Sequence, residues 1–243
     1  MFSECPRAFR LYCIASEEGL RPDAPEQVRE WRARCRIQWS HHYARNIVAT
    51  ALRDFFMSGG DADIVGTVRR RVARDRHAAL RGEALPDGYF PQWMDPENVV
   101  PAVEDLLGNA YLPRLLDRLR KVRPIARVRL PGVCTAELAG VRLCAAPILA
   151  WREELDCAFL RFESHESVDT VLCRFALERL KLGPARVRFL GWDGREEPAM
   201  RLEFSTELDH ILASASRMYE GIYPKTTDLS RCARCRFRDC CDG

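Results

Sequence analysis

The hydrophobic pattern of the chain changes at Pro124, and this change limits the possible folds more than any other feature. Before Pro124, apolar residues recur at spacings of three and four, as in residues 47–56, which is typical of helices. After it, short alternating apolar runs are separated by turn signals such as Pro131 and Gly132. The sequence therefore predicts a mixed α/β chain with a helical first half and a sheet in the second half.

These patterns divide the chain into predicted elements. Helices are predicted at residues 6–18, 25–56, 61–81, 96–122, 168–182 and 206–219, and the fourth is expected to bend at Pro113. Strands are predicted at residues 125–130, 133–138, 141–148, 155–162, 185–192 and 199–204. Residues 85–95 contain two prolines and three aromatic residues and are predicted to form a loop.

The order of these elements favours one α/β core that carries a helical subdomain over two independent domains. No internal repeat or low-complexity linker separates the two halves of the chain. We expect a terminal helix in residues 1–20, a helical subdomain in 21–123, an α/β core in 124–222 and a cysteine-rich loop in 223–243.

The composition excludes two broad classes of protein. Hydrophobic residues make up 47% of the 243 residues and charged residues 30%, which is not the composition of a disordered chain. No apolar run approaches the roughly 18 residues that a membrane-spanning helix needs, so we expect no membrane partner. The first residues lack the pattern of a secretory signal, and we therefore expect a cytoplasmic protein whose eleven cysteines do not form a disulfide framework.

The cysteines near the C-terminus form the most specific motif in the sequence. Cys232, Cys235 and Cys241 are spaced as C-x2-C-x5-C, which brings three thiolates onto one short segment and suits a soft metal centre. Zinc would find a fourth local ligand in Cys240, whereas an iron-sulfur cluster tolerates a distant one. The other cysteines are expected to be small buried hydrophobic residues, namely Cys13, Cys35, Cys134, Cys144, Cys157 and Cys173.

Two segments at opposite ends of the chain carry a family resemblance. Residues 5–12 read CPRAFRLY, and residues 219–224 read YEGIYP ahead of the C-terminal cysteines. Together they resemble the iron-sulfur branch of the RecB-like PD-(D/E)xK nucleases, which includes the CRISPR adaptation exonucleases and the AddB-type helicase-nucleases. The resemblance implies a 4Fe-4S cluster with four metal ligands, Cys5, Cys232, Cys235 and Cys241. Zn²⁺ is the alternative metal.

The motifs that make such nucleases active are missing from this chain. The family pattern expects a histidine on a helix, an aspartate on a strand, acid-x-lysine on the next strand and Gln-x3-Tyr on a following helix. The matching positions are Ala49, Pro147, residues 161–163 (Arg-Phe-Glu), Val171 and Phe175. The resemblance therefore implies a degenerate nuclease core in residues 124–222, with no catalytic residues.

An alternative is an active site displaced to one hairpin. Its ligands would be Asp156 and Glu163, with Glu153 or Glu154, and His165. Because Asp156 and Glu163 would point to opposite faces of a regular strand, they could share a metal ion only across a bulge or a turn.

Basic residues offer a candidate surface for nucleic acid. Only three of the 38 basic residues are lysines, and arginine binds phosphate with a planar pair of donors, although a biased genome would produce the same preference. The candidate nucleic-acid-binding residues are Arg69, Arg70, Arg71, Arg74, Arg114, Arg118, Lys121, Arg234 and Arg236. A solvated helix face is the alternative interpretation of these charges.

These observations lead to one expected function and two alternatives. We expect a catalytically inactive nuclease-fold protein with an iron-sulfur cluster, acting as a DNA- or RNA-binding and scaffolding subunit of a nucleoprotein complex. A CRISPR-type complex is the leading context, with recognition of a short duplex motif beside the target. The alternatives are an active metal-dependent DNA exonuclease with a displaced site, and a zinc-stapled protein-interaction module.

Overall fold

The computed structural model describes residues 22–83, 96–131, 133–138, 141–162 and 166–198, together with Leu11, Ala213, Ser216, Arg217 and Glu220. The predicted loop at 85–95, the predicted strand at 199–204 and nearly all of the two terminal helices lie outside these residues. Leu11, Ala213, Ser216 and Arg217 have helical backbone, as predicted. Within the described part, no helix combines the length and apolar character that crossing a bilayer would require.

Four helices form the first half of the described chain. They are α1 (Glu26–Ser58), α2 (Ile64–Leu80), α3 (Pro96–Leu107) and α4 (Leu112–Lys121). Helix α1 has 33 residues and ends at Gly59, whose left-handed backbone (φ 99°) favours glycine. Helix α2 begins at an N-cap, because the side chain of Asp63 accepts a hydrogen bond from the backbone N–H of Gly66 at 2.9 Å.

The predicted helix at 96–122 is two helices, and this prediction was wrong about the role of Pro113. The break falls at residues 108–111, where the side chain of Asn109 accepts a hydrogen bond from the backbone N–H of Tyr111 at 2.8 Å. Asparagine stabilises turns in this way. Pro113 lies in the first turn of α4, where a helix needs no backbone N–H, so it starts a helix and does not bend one.

Seven strands form two sheets among the described residues of the second half. They are β1 (Arg127–Val128), β2 (Cys134–Leu138), β3 (Val141–Ala145), β4 (Leu149–Glu153), β5 (Asp156–Arg161), β6 (Val187–Gly191) and β7 (Glu196–Pro198). Strands β2 and β3 form a separate antiparallel hairpin, and the other five form a sheet in the order β1-β4-β5-β6-β7. The mixed α/β class is confirmed, with five strands before the next helix where four were predicted.

The extra strand arises because the predicted strand at 141–148 is interrupted. Pro147 lies between β3 and β4 and has no backbone N–H to give to a strand ladder. The guanidinium of Arg53, on α1, donates hydrogen bonds to the carbonyl oxygens of Pro147 at 3.0 Å and Ile148 at 2.9 Å. The chain therefore leaves one sheet at this point and enters the other.

Strands β5 and β6 are the parallel pair of the sheet. They are joined by helix α5 (Glu166–Arg179), while β4 pairs antiparallel with β5 and β7 antiparallel with β6. A parallel pair needs such a crossover, and its two carboxyl ends lie at the same edge of the sheet. Arg161 and Gly191, directly paired, are the last residues of the two strands.

The two faces of this sheet are covered by different helices. Ala158 and Leu160 of β5 belong to one core cluster together with residues of α1, α2, α3 and α4. Cys157 and Phe159 belong to a second cluster, together with buried residues of α5. Strand β5 is thus buried on both faces, and one hydrophobic core joins the helical half of the chain to the sheet.

Candidate functional site

Three of the positions that the resemblance matches to nuclease motifs, Ala49, Pro147 and Arg161, lie in neighbouring parts of the fold, and the other two lie in a different core cluster. Ala49 is buried in α1, one turn before Arg53, which binds the carbonyl of Pro147. The backbone N–H of Ile148 donates to the carbonyl of Leu160 at 2.8 Å, which brings Pro147 beside the end of β5 and Arg161. Val171 and Phe175, also matched positions, are buried on α5 in the second core cluster.

Arg161 is a buried cation at the end of β5. Its side chain is 4% exposed and forms ion pairs with Asp169 on α5 and, at 2.7 Å, with Glu197 on β7. The guanidinium also lies over the ring of Phe189, 4.5 Å from its centroid. Burial lowers the pKa of Arg161, and the negative charge of Glu197 opposes this effect. Both carboxylates therefore neutralise an internal guanidinium.

A cavity of about 220 Å³ opens beside Arg161, at the carboxyl ends of β5 and β6. We call it the strand-end cavity, and its lining includes Arg161, Phe162, Trp192, Asp193, Arg195 and Glu197. Ligands in open α/β sheets bind at the carboxyl ends of strands. The cavity is therefore the described opening with the best position for a binding site.

The carboxylates proposed for a displaced site are engaged by arginines. Glu153 and Asp156 face each other across the β4–β5 hairpin. Glu153 accepts hydrogen bonds from Arg118 at 3.0 Å, from the indole of Trp151 at 2.6 Å and from Arg188. Asp156 forms an ion pair with Arg188 at 3.3 Å.

The charge state of Glu153 follows from these contacts. Burial alone would raise the pKa of Glu153, but hydrogen bonds from Trp151 and Arg118 and the nearby positive charges hold it below its ordinary value. Glu163 and His165 lie outside the described residues. No group of three potential metal ligands occurs in the described ranges.

The three consecutive arginines of α2 point in different directions, as neighbouring helix positions must. Arg69 makes a two-pronged ion pair with Glu104 of α3, at 2.8 and 2.6 Å. Arg71 lies near the buried carboxylate of Asp75, at 3.6 Å. The side chain of Arg70 is 72% exposed. Among the described residues it has a long 4.0 Å contact to Asp63 and a weak hydrogen bond to Thr67 at 3.3 Å.

Arg74, one turn after Arg70, completes an exposed basic edge on α2. It donates to Asp75 at 2.8 Å, yet most of its side chain remains in solvent. Of the four predicted nucleic-acid-binding residues on α2, Arg70 and Arg74 therefore have the most exposed side chains.

Arg114, Arg118 and Lys121 share one face of α4, because they are spaced by four and then three residues. Arg118 is drawn into ion pairs with Glu153 and Glu196, which raise the pKa of its guanidinium despite the opposing effect of burial. Arg114 and Lys121 are exposed, and neither forms an ion pair with any residue of the described ranges. These two side chains are free to meet phosphate groups.

A second set of exposed cations was missed by the sequence interpretation. It consists of Arg152 on β4, Arg179 at the end of α5, and Lys181 and Arg186 between α5 and β6. Arg152 pairs with Cys157, which in turn pairs with Val187, so β4 and the start of β6 lie two strands apart. Scattered single charges carry no sequence signal, and the β5–α5–β6 crossover places Arg179, Lys181 and Arg186 ahead of the start of β6.

The cysteines separate into two groups. The proposed cluster ligands Cys5, Cys232, Cys235 and Cys241 lie outside the described residues, together with Cys13, Cys240, Arg234 and Arg236. Of the others, the predicted burial is confirmed for Cys35, Cys134, Cys157 and Cys173. It was wrong for Cys144, which is exposed on β3 because the alternation of that strand turns it away from the buried Ala145.

Burial controls the chemistry of the internal thiols. It raises the pKa of Cys134 to about 11, against the opposing charge of Arg53, and the pKa of Cys157 to about 12, against Arg152. Since the thiolate is the form that binds metal and attacks electrophiles, these two thiols are chemically quiet.

Comparison with known proteins identifies no family. No protein-family profile matches the chain, and neither the curated proteins nor the solved structures include a significant match.

Proposed function

We propose that this protein is a catalytically inactive subunit with a nuclease-derived fold that binds DNA or RNA within a nucleoprotein complex. A CRISPR-type complex is the proposed context, and it rests on the resemblance of residues 5–12 and 219–241. The observation that carries the inactivity is the buried guanidinium of Arg161.

Arg161 stands where the resemblance expects the acid of acid-x-lysine. A divalent cation needs oxygen ligands with negative charge, and a fixed guanidinium repels it. The nearby carboxylates of Asp169 and Glu197 are already paired with this arginine. The succession α1, β4, β5, α5 supports the proposed ancestry, because it repeats the helix–strand–strand–helix order in which the family carries its motifs.

Nucleic-acid binding is supported by exposed cations on two helices. Arg70 and Arg74 on α2, and Arg114 and Lys121 on α4, present positive charge to solvent. Contacts of this kind neutralise phosphates, give affinity without sequence preference and weaken as salt concentration rises.

The proposed 4Fe-4S cluster would hold Cys5 to Cys232, Cys235 and Cys241. Thiolates are the ligands that such clusters require, and the buried thiols of Cys134 and Cys157 would not compete for the metal because their pKa values are raised. When bound, the cluster would link the two ends of the chain and restrict the unfolded state as a long-range cross-link does. Zinc on the same cysteines is the alternative.

The activity is tested by incubating the full-length protein, purified without oxygen, with single-stranded and duplex DNA in Mg²⁺ or Mn²⁺. We expect binding without cleavage. Cleavage that is lost in Glu153→Gln or Asp156→Asn would overturn the inactivity and restore the displaced-site alternative. Iron and acid-labile sulfide in the same preparation would support the cluster, whereas stoichiometric zinc without iron would support the interaction-module alternative.

The binding surface is tested by fluorescence anisotropy over a range of salt concentrations. Replacing Arg114 and Lys121 by alanine should lower the affinity for every sequence, and each lost phosphate contact should flatten the plot of log K against log salt by about 0.9 for duplex DNA. Arg76→Ala is the matched control, because this α2 arginine is paired with Glu97 at 2.7 Å. Equal loss in both variants would remove the α4 face from the proposal.

A further inference from the structure

One wall of the strand-end cavity is aromatic and is formed by Phe162 and Trp192. The rings of Phe162 and Trp192 lie with their centroids 5.0 Å apart at an angle of 49°. The backbone at Trp192 is held by Asn109, whose side-chain amide donates to the Trp192 carbonyl at 2.9 Å. Because this hydrogen bond fixes the backbone at Trp192, the position of the indole is set before a planar group packs against it.

The same wall contains a hydrogen-bond donor without a partner. Trp192 is 7% exposed, and its indole N–H is buried with no hydrogen-bond partner in the part of the chain that the structure describes. A buried donor that makes no hydrogen bond is unfavourable, and natural structures contain few of them. Trp192 lines the cavity, so a ligand whose acceptor reaches the edge of this indole would satisfy the donor.

The charges around the cavity balance. Arg161 and Arg195 contribute two positive charges, and Asp193 and Glu197 contribute two negative ones. Arg195 lies 3.2 Å from Asp193, and Arg161 is paired with Glu197. A free phosphate therefore finds no net positive charge here, whereas an uncharged heterocycle finds donors and acceptors for its polar edge.

We propose that the strand-end cavity takes a single unstacked nucleobase of the bound nucleic acid. This inference rests on the proposed nucleic-acid-binding function and names the part of the ligand that the site receives. A volume of about 220 Å³ is large enough for a single base. Capture costs least for a base that is already unpaired, so the cavity favours single strands and bulges over perfect duplex.

The test compares three labelled DNA probes by fluorescence anisotropy with the full-length protein: a single strand, its perfect duplex, and the same duplex with one bulged nucleotide. The variant Trp192→Phe keeps an aromatic side chain, although a smaller one, and removes the N–H donor. The matched control is Trp31→Phe on α1, because the indole N–H of Trp31 is also buried without a partner in the described ranges and Trp31 does not line the cavity.

We expect the wild type to bind the bulged duplex more tightly than the perfect one. Trp192→Phe should lose about three- to tenfold in affinity for the single strand and the bulge, which corresponds to one hydrogen bond, and should keep the salt dependence of the wild type. Trp31→Phe should behave like the wild type. The tryptophan emission of the wild type should also change on binding, and this change should be absent in Trp192→Phe.

Two results would overturn the proposal and are distinguishable from each other. Equal wild-type affinity for the bulged and perfect duplex, with salt-dependent binding retained, removes the base site and leaves the nucleic-acid-binding function in place. This comparison needs no variant and therefore does not depend on the folding of Trp192→Phe. Absence of binding to all three probes removes the proposed function and the base site together.

Discussion

Tyr43 donates a hydrogen bond to the carboxylate of Asp75, and both side chains are buried between α1 and α2. The same carboxylate accepts from Arg74 and lies near Arg71, so a buried negative charge is satisfied by three neighbours. Burial and the hydrogen bond to Asp75 raise the pKa of Tyr43, which keeps its hydroxyl protonated as the donor.

Tyr43→Phe should lower the free energy of unfolding by about 1.5–3 kcal/mol, because the hydroxyl donates to an ionised group that stays buried. Urea unfolding followed by circular dichroism measures the change. Tyr111→Phe is the control and should have a much smaller effect, because the Tyr111 hydroxyl makes no hydrogen bond to any described residue. Equal losses would mean that the Tyr43 hydrogen bond adds no specific stability.

Arg161→Ala should destabilise the fold by about 3–5 kcal/mol, because it leaves the carboxylates of Asp169 and Glu197 close together without their counter-ion. The control is Arg195→Ala, whose side chain is 84% exposed and whose removal should change stability by no more than about 0.5 kcal/mol. Denaturant titration of both variants is the measurement. An Arg161→Ala variant that is as stable as the wild type would show that these buried ion pairs contribute little to the free energy of unfolding.

Glu153→Gln should reduce stability at neutral pH, and the difference from wild type should disappear in acid. The pKa of Glu153 is held below its ordinary value near 4.5, so the folded state gains stability from the ionised form above that value. This stability is lost as the pH falls through the lowered pKa of the folded protein.

Unfolding of wild type and Glu153→Gln between pH 7 and pH 3 checks this expectation. The control is the neighbouring turn residue Glu154, exposed and without an ion pair to the described residues, for which the glutamine variant should track the wild type across the range. A difference that persists unchanged at low pH would contradict the ionic role of Glu153.

Cys144 should react with iodoacetamide well before Cys134 and Cys157 in the native protein. It is exposed, whereas burial raises the pKa values of the other two thiols to about 11 and 12. Peptide mapping by mass spectrometry after brief labelling at pH 8 follows each cysteine separately. Labelling of the three at similar rates, in protein that remains folded, would contradict the arrangement of β2, β3 and β5.

Long periodic segments were the predictable part of this fold. The patterns for α1 and α5 are sustained over many residues and gave their positions to within a few residues. The break at Pro147 was missed because the apolar run continues through it, and the interruption depends on Arg53, which is 94 residues away in the chain. No local pattern contains that contact.

The candidate site was predictable only in part. The substitution of Arg161 for an acid was visible in the sequence, but its partners Asp169 and Glu197 come from two other elements. The ion pair between Arg71 and Asp75 could have been predicted from the sequence, because the two residues are four apart, the spacing of a helical ion pair. No sequence pattern predicted the cavity beside Trp192, because it exists only where the ends of β5 and β6 meet.

The contact between Arg53 and Pro147 also has a consequence for synthesis on the ribosome. At roughly 5–20 residues per second, translation of the 94 residues that separate them takes about 5–20 s. During this interval α1 has emerged without the strands that complete its core. In the nascent chain, the apolar side of α1 can be buried by packing against α2 and α3. A ribosome that stalls before β4 therefore leaves a helical fragment with exposed apolar surface, which chaperones would recognise.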